Sequence, residues 1–223
     1  MPESSPDRRP ARPVVLLTGF DPFNGSPVNP SWQAVQALNG RMLLRRRIVS
    51  VQLPTAFGQA RHVLDGWIDR LRPELVVCVG QAGGRPAISL ERVAINVDDA
   101  TISDNAGARP VDCPVESDGP AAYFTTLPVK AMLAALTRAG LPAEVSQTAG
   151  TFVCNHVFYS LMHRLATDPS LNAVRGGFVH VPWLPEQGAP SMAQDDIVRA
   201  LRVLLRCALQ THEDLRVAAG ATH

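Results

Sequence analysis

Two kinds of hydrophobic pattern alternate along this chain. Short continuous apolar runs, Val14-Val15-Leu16-Leu17 and Leu75-Val76-Val77-Cys78-Val79, predict strands buried on both faces. Between them lie stretches with apolar residues every three or four positions, the spacing of one helix face. Asn29 and Pro30 open such a stretch through Trp32, Val35 and Leu38, as an N-cap and first helical residue. Another runs from Phe57 to Leu71 through Ala60, Val63, Leu64, Trp67 and Ile68. A third spans Thr126 to Ala139 and stops at Gly140. A fourth follows Cys154 through Phe158, Leu161, Met162 and Leu165 to about Leu165, and a fifth, capped by Ser191, continues through Ile197, Leu201, Leu204 and Leu205. Further strands are expected at Arg47 to Leu53, Ile88 to Val97, Glu144 to Gln147 and Gly176 to Val181, the last ended by Pro182. This alternation predicts an α/β fold: a single-domain α/β/α sandwich around a twisted, mostly parallel central sheet, with right-handed crossovers placing helices on both faces.

No repeat or linker divides the sequence, so one domain is expected over 14–215. The polar, Arg- and Pro-rich residues 1–13 read as a disordered tail without the apolar core of a signal peptide, and residues 216–223 as a fraying end. Asp98 to Leu127 is the least regular part, rich in Asp, Gly, Pro and Ser; a connection this long suits a lid, an interaction arm or a binding loop. The net charge of +1 gives no field for nucleic acid, and no apolar run reaches the roughly 18 residues of a membrane helix. Cys78, Cys113, Cys154 and Cys207 are too scattered for a zinc site and read as the reduced thiols of a cytoplasmic protein. His156 and His163 roughly share a helix face, but no third metal ligand accompanies them.

The candidate chemistry centres on Cys154. The small-residue turn Ala149-Gly150-Thr151 places it at a helix start, where free backbone N–H groups and the helix dipole favour a thiolate. The competing reading is an inert, buried cysteine. His180 lies late in an expected strand, and Glu91 stands at one end of a mostly apolar row. Glu91 is then either one half of a structural ion pair with an arginine or the acid that orients a histidine. Together the three make a complete Cys-His-acid set, if the fold brings them together. Two loops at strand ends add possibilities. Phe20 and Phe23 either cap the core or line a pocket, because open α/β sheets bind ligands at that edge. The Gly80-Gln81-Ala82-Gly83-Gly84-Arg85 loop lacks the spacing of a phosphate loop; its glycines suit close approach by a ligand or a neighbouring segment.

The motifs Leu17-Thr18-Gly19-Phe20-Asp21-Pro22-Phe23, Gly80 to Arg85, Leu90 to Asn96, Ala149 to Tyr159 and Gly177 to Pro182 occur in an order and spacing that resemble the pyroglutamyl-peptidase I family over Val14 to about Pro185. The resemblance implies a catalytic triad of Glu91, Cys154 and His180, and a substrate pocket of Phe20, Phe23, Gln81, Phe152 and Val153. It implies hydrolysis of the bond after an N-terminal pyroglutamyl residue of peptides through a thioester, with no cofactor, no metal, no nucleic-acid or membrane partner, in a cytoplasmic, often tetrameric enzyme. A small uncharged lactam fits a small apolar pocket with a few hydrogen bonds. One departure stands out: Thr101 occupies a position where relatives commonly carry an arginine that has been regarded as a helper near the oxyanion. The rival readings are a ligand-binding protein that has lost turnover and an amidase for another small acyl group.

Overall fold

The computed structural model describes residues 13–220. The expected N-terminal tail, apart from Pro13, and the last three residues lie outside the described residues. Nine strands and five α-helices follow in order: β1 (Val14–Phe20), α1 (Pro30–Gln36), β2 (Met42–Leu43), β3 (Arg46–Leu53), α2 (Gln59–Leu71), β4 (Leu75–Gln81), β5 (Ile88–Glu91), β6 (Val93–Ile95), β7 (Ala122–Phe124), α3 (Val129–Arg138), β8 (Ala143–Ser146), α4 (Val153–Thr167), β9 (Arg175–Val181) and α5 (Gln194–Gln210).

Seven of these strands form one sheet in the order β2-β3-β1-β4-β9-β5-β8. β3, β1, β4 and β9 are mutually parallel. β5 and β8 are parallel to each other but run against β9, and β2 folds back on β3. The continuous apolar runs are explained by the two cores. Val15, Leu17, Val77, Val79, Val179 and Val181 pack with α1, α3 and α5 on one face. Leu16, Val76, Cys78 and Phe178 pack with α2 and α4 on the other. Both faces of each central strand are covered, so both parities are predominantly apolar.

Several boundaries differ from the sequence reading. The expected strand from Ile88 to Val97 breaks at Arg92, and β6 pairs with β7 in a separate two-stranded sheet. Arg92 N–H still donates to the Ser146 carbonyl, closing the β5–β8 ladder, before the chain turns away. Asn29 caps α1 as expected, accepting from the Ser31 N–H at 3.1 Å. Ser191 does not cap α5: the cap position is Ala193, and Asp195 and Asp196 in the first turn meet the positive end of the helix dipole.

Candidate active site

Glycine sets the site's first constraint. Gly80 lies beside His180 in the β4–β9 ladder. A Cβ built on Gly80 would stand 2.8 Å from the Cys154 sulfur and 2.8 Å from the Phe178 ring. The thiol therefore rests directly on the sheet backbone, where no larger residue fits. Gly80, Phe178 and His180 share the parity of the face packed against α4, so His180 and Cys154 are brought to one side of the sheet. Cys154 is the second residue of α4, whose cap position is Phe152. Its N–H belongs to the first helical turn, which has no intrahelical acceptor.

Glu91 reaches the same place from a strand of opposite direction. β5 lies against β9 with Ser89 opposite His180 and Leu90 opposite Val179. The Glu91 side chain, wholly buried, extends back along β9 so that Oε1 lies 2.7 Å from Nδ1 of His180. Glu91 makes both contacts considered from the sequence, to a histidine and to an arginine, because Nη1 of Arg85 also donates to Oε1 at 2.8 Å. The guanidinium is fixed in turn by the Ser146 hydroxyl and the Thr148 carbonyl. Oε2 of Glu91 is buried without a partner among the described residues.

The protein around the sulfur opposes ionisation of the thiol. Burial pushes Cys154 up to about 12, with the Glu91 charge and Cys78 adding to the rise and Arg85 opposing it. The helix start favours a thiolate, and burial acts in the opposite direction.

The remaining residues named from the sequence fall into two groups. Phe23 and Phe152 meet at 6.1 Å between ring centroids, beside the Cys154 turn. Gln81, at the end of β4, accepts from the Gln187 amide at 3.2 Å. Phe20 and Val153, by contrast, are buried in the α2–α4 core, Phe20 lying 6.2 Å from Phe178. Each stands next to the site as part of its wall.

Three contributors were missed. Phe57 sets its edge against Phe152 at 5.3 Å and against His156 at 5.5 Å. Gln187 ties Gln81 to the Ser26 hydroxyl and the Val28 carbonyl. Asp98 and His156 form a second buried carboxylate–imidazole pair at 2.8 Å, whose Nε2 accepts the Gly58 N–H at 3.2 Å. This pair supports the segment beginning at Asp98. The same segment bonds to Thr151 through both the N–H and carbonyl of Asp99, and to Thr55, Asp21 and Pro22 through Asn105. Only Phe57, following the Pro54 stop, carried a signal in the sequence, as a large apolar residue at the start of a turn. Among the described residues no group of three or more His, Cys, Asp or Glu could hold a metal ion, and no helix is long and apolar enough to cross a membrane.

Comparison with known proteins agrees with this arrangement. The family model described as pyroglutamyl peptidase matches residues 13–211. The chain belongs to the pyroglutamyl peptidase family. It is 57% identical over 216 residues to a pyrrolidone-carboxylate peptidase of Cupriavidus taiwanensis, covering 95% of this chain and 100% of the relative. It is 55% identical over 215 residues to the enzyme of that name from Escherichia fergusonii, covering 94% and 99%. The solved pyroglutamyl peptidase I of Bacillus amyloliquefaciens superposes with a TM-score of 0.90 at 46% identity, covering 93% of this chain and 100% of that one. A variant pyrrolidone carboxyl peptidase from Pyrococcus furiosus superposes at 0.85 with 37% identity, covering 88% and 98%. The pyroglutamyl peptidase fold is thus shared along nearly the whole chain.

Proposed function

We propose that this chain is a cysteine exopeptidase that removes the N-terminal pyroglutamyl residue of peptides, with Cys154 as nucleophile, His180 as base and acid, and Glu91 as the group that orients His180. The observation that carries these roles is the 2.7 Å bond from Glu91 Oε1 to His180 Nδ1, on the sheet face where the Cys154 sulfur rests on Gly80. A carboxylate at Nδ1 keeps the proton there and leaves Nε2 as the free acceptor.

In this reading the Cys154 S–H proton passes to Nε2 of His180 as sulfur attacks the pyroglutamyl carbonyl carbon. Burial raises the thiol, which favours proton transfer as part of the attack. The oxyanion receives the Cys154 backbone N–H. The imidazolium then protonates the departing amine, leaving a thioester, and water activated by His180 releases pyroglutamate and the thiol. Phe23, Phe152 and Phe57 give the lactam ring an apolar surface, and Gln81 supplies a hydrogen-bonding amide. Phe20 and Val153 hold that surface from behind.

Thr101 supplies no cation to the oxyanion. Arg85 is held by Glu91, and Arg92 turns to the Ala219 carbonyl at 3.5 Å. The backbone donor therefore serves alone. We further infer from the resemblance a cytoplasmic homotetramer, which sedimentation velocity of the purified chain measures directly.

The deciding experiment is release of a fluorescent amine from its pyroglutamyl amide. Turnover should vanish on alkylation of the thiol and in Cys154→Ala, whose circular dichroism should match the parent. Wild-type turnover in Cys154→Ala would end the assignment.

A further inference from the structure

A cavity of about 540 Å³ between α3 and α5 and one of about 460 Å³ beside it are rimmed by arginines, but they lie on the helix face opposite Cys154. A third cavity, of about 520 Å³, adjoins the site itself. Phe23 and Gln81 line it together with the loop from Asn24 to Val28 on one side and Gly83, Trp183, Glu186 and Gln187 on the other. Its volume is that of a drug-sized ligand and several times what a five-membered lactam fills. Of the ring surface at Phe23, Phe152 and Phe57, only Phe23 borders this cavity.

The cavity is a built one. The Trp183 indole packs directly against Gly83: a Cβ there would come within 2.3 Å of the ring. Gln187 fixes the opposite wall by bonding to Gln81, to the Ser26 hydroxyl and, through its carbonyl, to the Leu184 N–H. The wall is continuous with the chemistry, since Trp183 follows His180 by three residues and Gln81 follows Gly80 directly. His180 is the group placed to protonate the departing amine, so the departing chain leaves on this side. Glu186 is exposed at the rim and has no ion pair among the described residues.

We propose that this cavity is the subsite for the departing peptide, in which the Trp183 face receives the side chain directly after the scissile bond and Glu186 selects for cationic and against acidic peptides. The proposal rests on the pyroglutamyl-peptidase reading and names the peptides that this enzyme prefers. Its ligand class is a peptide whose first residue after pyroglutamate is aromatic or large and apolar, or carries a positive charge.

The test measures kcat/KM for four pyroglutamyl dipeptide amides, with glycine, phenylalanine, lysine or glutamate as the departing residue, and for pyroglutamamide, which has none. Wild-type enzyme should favour lysine over glutamate by ~3- to 10-fold, shrinking in high salt as an exposed charge interaction must. Glu186→Gln should level that ratio and Glu186→Lys should invert it. Trp183→Ala should cut the preference for phenylalanine over glycine by ~10-fold, the scale of a lost apolar contact, with Trp183→Phe retaining most of it. Ratios between substrates are the readout, so a general loss of activity does not imitate the result. Ratios that stay fixed in all variants would overturn the subsite. So would a Trp183→Ala effect confined to the KM of pyroglutamamide, which would place the ring itself in the cavity. If wild-type enzyme hydrolysed no pyroglutamyl amide, the function would fail first and the subsite with it, a result distinct from turnover without preference.

Discussion

Glu91 holds His180 across two antiparallel strands, with Oε1 of the carboxylate 2.7 Å from Nδ1 of the imidazole. Arg85 donates to the same oxygen at 2.8 Å, while Oε2 is left without a partner among the described residues. One oxygen thus fixes both the ring and the cation. Glu91→Gln keeps the shape but replaces the charged acceptor with an amide that can turn its NH₂ toward His180. It is expected to lower kcat by ~10²- to 10⁴-fold, the range seen when such an orienting acid is neutralised. Steady-state kinetics on a pyroglutamyl reporter amide should show KM changing far less than kcat.

Removing Arg85 leaves a buried carboxylate facing one imidazole. Arg85→Met is expected to cost about 1–3 kcal/mol in urea unfolding, the value of a charged hydrogen bond reduced by the partial exposure of the guanidinium. A smaller second effect should appear as a several-fold loss of kcat. Unchanged unfolding would mean that water replaces the guanidinium without loss.

The thiol prediction concerns pH. Burial holds Cys154 at about 12 and Cys78 also at about 12, both above the ordinary cysteine value of 9.0. Alkylation of Cys154 by iodoacetamide should therefore rise steadily through pH 9 without the early plateau of a pre-formed thiolate. For stability, a raised folded-state value favours the protonated form. That stabilisation is complete below the unfolded value near 9 and is lost as pH climbs toward the folded value near 12. Thermal unfolding should show a falling Tm across that window, less steep in Cys78→Ala after correction for the cavity it leaves.

Gly80→Ala puts a methyl group where the Cys154 sulfur and the Phe178 ring already stand. The sulfur or the ring must move, because the other side is strand backbone. Activity is expected to fall by ~10²-fold or more, the scale of a misplacement of about 1 Å at the reacting atom. Full activity in that variant would show that the thiol is not held against the sheet.

Asp98→Asn tests the second carboxylate–imidazole pair. Its contact with His156 at 2.8 Å and the Gly58 N–H on the far nitrogen secure the turn bearing Phe57. Loss of the charged acceptor is expected to destabilise the fold by about 1–3 kcal/mol. KM should rise while kcat holds, since Phe57 touches the ring surface and not the reacting atoms.

The sequence displayed the architecture because burial on both faces leaves a plain mark. Val14 to Leu17 and Leu75 to Val79 read as central strands and are central strands. Glu91, Cys154 and His180, the three groups proposed to react, were named from their motifs. Their geometry was not legible, for two physical reasons. Strand direction leaves no trace in an apolar run, so the antiparallel placement of β5 against β9 within the mostly parallel sheet could not be read, and its expected continuation to Val97 stops at Glu91. Side-chain contacts between distant segments likewise have no periodicity. Neither the Arg85–Glu91 pair, the Asp98–His156 pair nor the Gln81–Gln187 bond could be read from spacing. The opposing influence on the thiol was hidden for a related reason: the dipole is local and visible in sequence, while burial against Gly80 and the surrounding core is not.

The reversal of β5 has a kinetic side. β9 is bounded by β4 from the first half of the chain and by β5, whose own outer neighbour is β8. The Glu91–His180 bond joins residues 89 apart in sequence. It can close only after β9, one of the last elements, has inserted between β4 and β5. Long-range pairings of this kind form slowly, because the chain must lose loop entropy before contacts compensate. Helices α2 and α4 can gain their backbone bonds earlier. During refolding, helical signal should therefore return ahead of hydrolysis, and regain of turnover becomes a clock for the insertion of that single strand.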